Sequence, residues 1–185
     1  PVARMTVSAP MDELELRNLM YTAQLPDKGP FTIRYPRGNG IHVDWETEFS
    51  EIQVGKGRKL ADGDAVAILS IGHPGNFVTE ARKILAAENI RIAHYDMRFV
   101  KPIDRELLDE VASNFDQIIT IEDGLIDGGF GSAVLEYFAS EGLKKSVVRL
   151  GVPDRFIEQG TQAELYRECG FDVEGICNTI RNLKI

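Results

Sequence analysis

Hydrophobic positions along the chain alternate between short runs of consecutive apolar residues and longer stretches where they recur every three or four positions. The runs fall at residues 65–71, 92–95, 117–121 and 147–150, and predict buried strands. Between them Phe77, Val78, Ala81, Ile84 and Leu85 mark one helix, and Leu107, Leu108 and Val111 behind an Asp104 cap mark another. A third spans Ser132 to about Ser140 and is stopped by Gly142. Thr161-Gln162-Ala163-Glu164 has the form of a capping box opening a short helix that ends at Gly170, and Val173, Ile176, Ile180 and Leu183 line the last helix. Strands alternating with helices imply an α/β fold with a mostly parallel sheet covered on both faces.

The chain before this alternation reads differently. Residues 4–8 form the tail of a strand, and Pro10, Asp12 and Glu13 make a helix start, with Leu16, Leu19, Met20 and Ala23 at helical spacing. A turn at residues 26–30 leads into Phe31-Thr32-Ile33, a predicted buried strand ending before Pro36. Residues 1–38 thus amount to β-α-β, too little to bury a core alone, so their sheet is expected to be completed by residues not present in this chain. Residues 39–51 are polar with isolated aromatics, Trp45 and Phe49, and read as a linker. The start at Pro1 suggests a piece of something longer.

Composition narrows the partners. The chain has 185 residues, is 43% apolar, and carries a formal net charge of -8, which argues against nucleic acid or an anionic membrane. No apolar run is long enough to span a bilayer, and the first residues are no signal peptide. Cys169 and Cys177 suit buried thiols in a reducing compartment. His42 and His94 lack ligand-like spacing, so no metal site is expected.

Arg37, in Arg34-Tyr35-Pro36-Arg37-Gly38, would project from the rim at a strand's carboxyl end, where a guanidinium can grip phosphate; a surface salt bridge is the competing reading. Gly72-His73-Pro74-Gly75-Asn76-Phe77, with Asp96 at the end of the next strand, partly matches a dinucleotide fingerprint, but Pro74 and Phe77 stand where glycines are needed. His73 has no visible carboxylate, serine or cysteine partner and reads as a loop-lining residue. Glycines at 124, 128, 129 and 131 precede a helix, yet Glu122, Asp123 and Asp127 would repel an anion, so the glycines read as structural and the acids as helix caps or partner contacts. Met97-Arg98-Phe99-Val100-Lys101-Pro102 reads as a solvated face or an interface with another domain.

Several stretches in order resemble one family: Ser8-Ala9-Pro10-Met11-Asp12-Glu13, Arg34-Tyr35-Pro36-Arg37-Gly38, residues 96–102, Ile121-Glu122-Asp123 with Gly128-Gly129-Phe130-Gly131-Ser132, and residues 151–161. Together they are similar to 1-deoxy-D-xylulose-5-phosphate synthase, a transketolase-type enzyme, over nearly the whole chain. Transketolase itself, a 2-oxoacid dehydrogenase β subunit, or a nucleotide-binding regulator are the alternatives.

The resemblance implies a three-layer α/β/α carboxyl-terminal domain. Its five-stranded mixed sheet would have order 1-3-2-4-5 with strand 1 antiparallel, whereas the Asp62-Gly63 turn alone would make strands 1 and 2 neighbours. Residues 1–40 would close the thiamine-diphosphate pyrimidine-binding domain, 41–51 would link, and 52–185 would form the carboxyl-terminal domain. It implies an enzyme joining pyruvate to glyceraldehyde 3-phosphate with loss of CO2, for isoprenoid, thiamine and pyridoxal precursors. Thiamine diphosphate and Mg2+, the catalytic residues and the cofactor-binding residues would all lie outside this chain, leaving the isolated chain inactive and mainly structural or dimer-forming. Arg37 matches the family arginine that binds the substrate phosphate, which favours the phosphate reading, and Arg34 would be a packing or interdomain residue. Gly72-His73 departs from the family's usual glycine-threonine. The implied partners are the enzyme's other domains and a second copy, in the bacterial cytoplasm or a plastid.

Overall fold

The computed structural model describes residues 2–41, 44 and 46–183; His42 and Trp45, read above as parts of a linker, lie outside them. Two sheets organise the chain. The larger has five strands, β3 (Arg58–Ala61), β4 (Val66–Ile71), β5 (Ile92–Asp96), β7 (Gln117–Leu125) and β8 (Ser146–Val152), in the order β3-β5-β4-β7-β8. Only β3 is antiparallel to its neighbour, β5. In strand numbers this is 1-3-2-4-5, as the resemblance implied.

Gly63 explains why the Asp62-Gly63 turn does not pair β3 with β4. A side chain there would collide with the backbone of Ile92 and Ala93, so the chain passes hard across the start of β5 before entering β4. Asp64 and Ala65 donate to the Arg91 carbonyl at 3.1 and 3.0 Å and hold the crossing.

Helices cover both faces because β4 alternates. Ala67, Leu69 and Ile71 pack with α3 (Arg105–Asn114) and α4 (Phe130–Ser140) through Leu108, Val111, Phe130 and Val134. Val66 and Ile68 face α2 (Pro74–Ala87) and α6 (Val173–Arg181) through Val78, Leu85, Ile176 and Ile180. Each such fully buried aliphatic contributes about 1.5–3 kcal/mol, so the α/β/α sandwich has its own core. Asp104 and Asp172 cap α3 and α6, and Thr161 and Glu164 form the expected capping box at α5 (Gln162–Glu168). Helix α4 starts two residues earlier than its spacing predicts, for a reason found in the loop before it.

The smaller sheet has the order β2-β1-β6, from β1 (Thr6–Ser8), β2 (Phe31–Ile33) and β6 (Phe99–Lys101). Contrary to the expectation that only residues outside this chain could extend the β-α-β opening, its third strand comes from the chain itself: β6, contributed from between β5 and α3, pairs antiparallel with β1. Residues 97–102 are therefore not a solvated face: Met97 and Phe99 are buried and β6 lies against β1. The strand order also corrects the reading of β2 as buried, since β2 is an edge strand with Phe31 and Ile33 half-buried and Thr32 exposed.

Beneath this sheet Leu19, Ile52 and Phe99 form a small core with Phe31, Ile33 and Val54. Helix α1 (Glu13–Ala23) starts after Asp12, whose side chain accepts from the Glu15 amide, and not at Pro10. Residues 47–52 are strapped along it: Phe49 stacks on Tyr21 at 5.2 Å, the Ser50 amide donates to Asn18 Oδ1, and the Ile52 amide donates to Thr22 Oγ1.

Candidate functional site

A cleft of about 340 Å³ opens where the chain leaves β2 and passes the start of α1 and the loop after β4, lined among others by Met11, Glu13, Tyr35, Arg37, His73 and Asn76. Its rim follows from local sequence. The Arg34 amide donates to the Ser8 carbonyl at 2.8 Å, the last rung beside β1, and Pro36 cannot continue the ladder. Gly38 adopts a φ of +157°, and a side chain there would press on Gln162 of α5. Gly40 lies against the Glu13 carboxylate, where any side chain would overlap it. Asn76 Nδ2 donates to the Met11 carbonyl at 2.8 Å, tying the start of α2 to the segment before α1.

Arg37 is an exposed residue of this cleft and makes no ion pair among the described residues. Among the described residues the salt-bridge reading thus finds no partner. Arg34 is different: its guanidinium lies 3.7 Å from Asp123.

His73 does have a carboxylate beside it, contrary to the sequence reading. Its Nε2 is 3.7 Å from Asp123 Oδ2, because β4 and β7 are adjacent parallel strands with Ile71 opposite Glu122, so the loop leaving β4 runs beside the next residue of β7. The ring packs edge-on to Phe77 at 5.8 Å and against Tyr166 of α5 at 5.3 Å. Nε2 is buried without a hydrogen bond. Burial pushes the imidazole below its usual pKa, Asp123 pulling it up and Arg34 down.

The glycine-rich loop is already filled. Glu122 accepts from the amides of Phe130 at 2.8 Å and Gly131 at 2.9 Å, so the anion at the start of α4 is the chain's own carboxylate. A side chain at Gly129 would strike Glu122 and the Leu125 carbonyl, and one at Gly131 would strike Thr120 and Arg149. Acids that look repulsive in sequence thus include the cap itself, which lets α4 begin at Phe130.

Asp96 cannot serve a ribose. It is fully buried and takes Arg58 at 3.0 Å; Arg58 also reaches Glu15 at 3.0 Å, and Arg98 grips Glu15 through Nε and Nη2 at 2.7 and 2.8 Å. Two acids and two arginines thereby join α1, β3 and the β5–β6 corner. Burial pushes Asp96 up to about 6, ahead of the opposing effect of Arg58. His94 hydrogen-bonds Ser70 at 2.8 Å in the core, and burial depresses it to about 3. Among the described residues no group of three His, Cys, Asp or Glu side chains could hold a metal ion. Cys169 and Cys177 are free thiols, the second buried. No helix among the described residues is long and apolar enough to cross a membrane.

The family model described as "Transketolase, C-terminal domain" matches residues 55–176. Among curated relatives, the 1-deoxy-D-xylulose-5-phosphate synthase of Cytophaga hutchinsonii is 60% identical over 98% of this chain and 29% of its own length. Those of Bacteroides fragilis and Vibrio vulnificus are 54% and 45% identical, over 100% and 98% of this chain and 29% and 28% of their lengths. The chain thus spans under a third of the relatives it matches. A solved structure described as a split gene transketolase, inactive beta4 tetramer, superposes with a TM-score of 0.80 at 31% identity, covering 96% of this chain and 56% of that one.

Proposed function

Because the chain belongs to the transketolase C-terminal domain family, we propose that it is the carboxyl-terminal portion of a 1-deoxy-D-xylulose-5-phosphate synthase, supplying a phosphate clamp and a docking body to an enzyme whose reactive centre lies in other domains. In this reading residues 1–40 end the pyrimidine-binding domain, 41–51 link, and 52–185 form the carboxyl-terminal domain. The parent works as a cytoplasmic homodimer on pyruvate and glyceraldehyde 3-phosphate. The high identity to named synthases supports the assignment.

Thiamine diphosphate with magnesium would supply the carbanion chemistry in the parent. The described residues do not fit that group: the amides at the glycine-rich helix start are taken by Glu122, and no cluster of metal-ligating side chains is present among them. No step is therefore derived through it. What this chain contributes is binding. Arg37 offers paired donors to the aldehyde's phosphate, with Gly38 keeping the rim open and the Asn76–Met11 bond fixing the opposite wall.

The observation that carries the proposal is an exposed arginine at the rim of a cleft that makes no ion pair among the described residues, even with Asp12 and Glu13 lining the same cleft. In the intact synthase, Arg37→Ala removes charge-assisted bonds worth about 1.5–3 kcal/mol, so KM for glyceraldehyde 3-phosphate rises roughly 10- to 150-fold. Pyruvate decarboxylation without the aldehyde stays unchanged. Equal loss of both activities would overturn the assignment.

A second reading, compatible with the first, is that the chain serves as a self-associating structural module, favoured by the tetrameric description of its solved neighbour. Sedimentation of the purified chain tests it, and a monomer at high concentration counts against it.

A further inference from the structure

His73 and Arg37 line the same cleft, and the groups around His73 act on its protonation in opposite directions. On one side is Asp123, which alone would favour the imidazolium. The Arg34 guanidinium, also 3.7 Å from Asp123, offsets that carboxylate, and the ring itself is largely enclosed by Phe77 and Tyr166. The result is a neutral imidazole with a buried nitrogen that bonds to nothing. Unpartnered buried polar atoms are costly and call for an explanation. The charged and titratable groups facing this ring and cleft are Asp123, Arg34, Tyr166, Tyr35, Arg37, Asp12 and Glu13.

We propose that His73 is a second anion-binding residue of the Arg37 cleft: it takes a proton from solvent when a phosphate monoester dianion enters, and the new Nε2–H closes onto Asp123. The inference rests on the phosphate reading of Arg37 and adds how that site is tuned. The role needs a histidine, since a threonine in place of His73 could neither carry charge nor reach Asp123 in this way. A dianion roughly 6 Å from the imidazole raises its pKa by about 1 even at the dielectric constant of water. By linkage the protonated protein then binds the dianion about tenfold more tightly than the neutral one. The carboxylate matters because it orients the ring and accepts the proton's hydrogen bond, so that the charge appears where the ring lines the cleft.

The test is calorimetric titration of the chain with glyceraldehyde 3-phosphate near pH 8, where the phosphate is already a dianion, in two buffers of different protonation heat. The expected result is uptake of a small fraction of a proton per phosphate bound, below about 0.2 at this pH because the imidazole starts below its usual range and rises by about 1. Both His73→Gln and Asp123→Asn reduce it, the first to zero, and the His73 imidazole resonance, assigned by its loss in His73→Gln, titrates at higher pH when ligand is present. His94 does not interfere, being held near 3 by burial. Binding without proton uptake, or uptake that survives His73→Gln, overturns the role of His73 and leaves Arg37 standing. Absence of binding, or binding undiminished in Arg37→Ala, overturns both. If His73→Gln does not fold, Asp123→Asn and the imidazole titration of the unaltered chain decide the matter.

Discussion

Replacing Glu15 by glutamine keeps the shape of the side chain and removes the charge that two guanidinium groups share. Glu15 has 7% side-chain exposure and receives Arg98 in a two-point grip, while Arg58 reaches it from the other side and also holds Asp96. Breaking one partner out of a buried pair costs about 3–5 kcal/mol. The lower end applies, because the Arg58 side chain is 32% exposed and keeps Asp96 as a partner. A loss of about 3 kcal/mol corresponds to a fall in Tm of roughly 6–12 °C for a chain of this size, or about 1.5 M in urea midpoint at a slope near 2 kcal/mol per molar.

Urea titration followed by circular dichroism reads this, with an unchanged slope showing that the same surface unfolds. Glu15→Met, Arg98→Met and the double variant form a double-mutant cycle, in which the double variant recovers much of the loss because an apolar pair leaves no buried charge behind. High salt should change the effect little, since the pair is shielded from solvent ions. A Glu15→Gln variant within about 0.5 kcal/mol of the parent, or additive single effects, would show that the cluster does not join α1 to the large sheet as described.

Gly129→Ala should lose about 1–3 kcal/mol of stability, because its Cβ would meet Glu122 and the Leu125 carbonyl; a melting temperature equal to the parent's would contradict the packing. Glu122→Ala should fray α4 through loss of its two amide contacts, visible as faster hydrogen exchange at Phe130 and Gly131 than elsewhere in the helix. Asp96 sits near 6 when folded against a reference near 3.8, so the folded state holds a proton that the unfolded chain has released. Its contribution to stability therefore grows as pH falls from about 7 towards 4 and flattens in Asp96→Asn; a parent and variant with parallel pH profiles would exclude this. Finally, purified chain with thiamine diphosphate, magnesium, pyruvate and glyceraldehyde 3-phosphate should form no product, and measurable turnover by mass spectrometry would sink that expectation.

Most strands and helices of the large sheet could be read from periodicity, and the caps at Asp104 and Thr161 from residue type, because those signals are local. Strand order was not local. It came through the family resemblance, since the crossing at Gly63 is dictated by the backbone of a strand far along the chain. β6 is three residues long and carries Lys101, so no period could declare it a strand; its pairing with β1 depends on a partner almost a hundred residues earlier.

At the candidate site, the place of Arg37 on a cleft rim was legible because a strand end, a proline and a glycine frame it, whereas its phosphate role came through the family resemblance and is a proposal. Asp123 beside His73 was not, although it follows once β4 and β7 are known to be adjacent parallel strands. Glu122 misled for a physical reason: an acid next to a glycine-rich helix start repels an external anion only because it occupies that anion's place.

The pairing of β6 with β1 bears on how such a polypeptide could be recombined. A crossover in the polar stretch after β2 looks like a natural seam between modules. Yet any chimaera made there imports, with the incoming rear half, the strand that finishes the front half's sheet, along with Arg58 and Arg98 for the front half's Glu15. Grafts between distant homologues should therefore succeed only when Thr6–Ser8 and Phe99–Lys101 come from compatible parents, and the true unit of exchange runs through both halves.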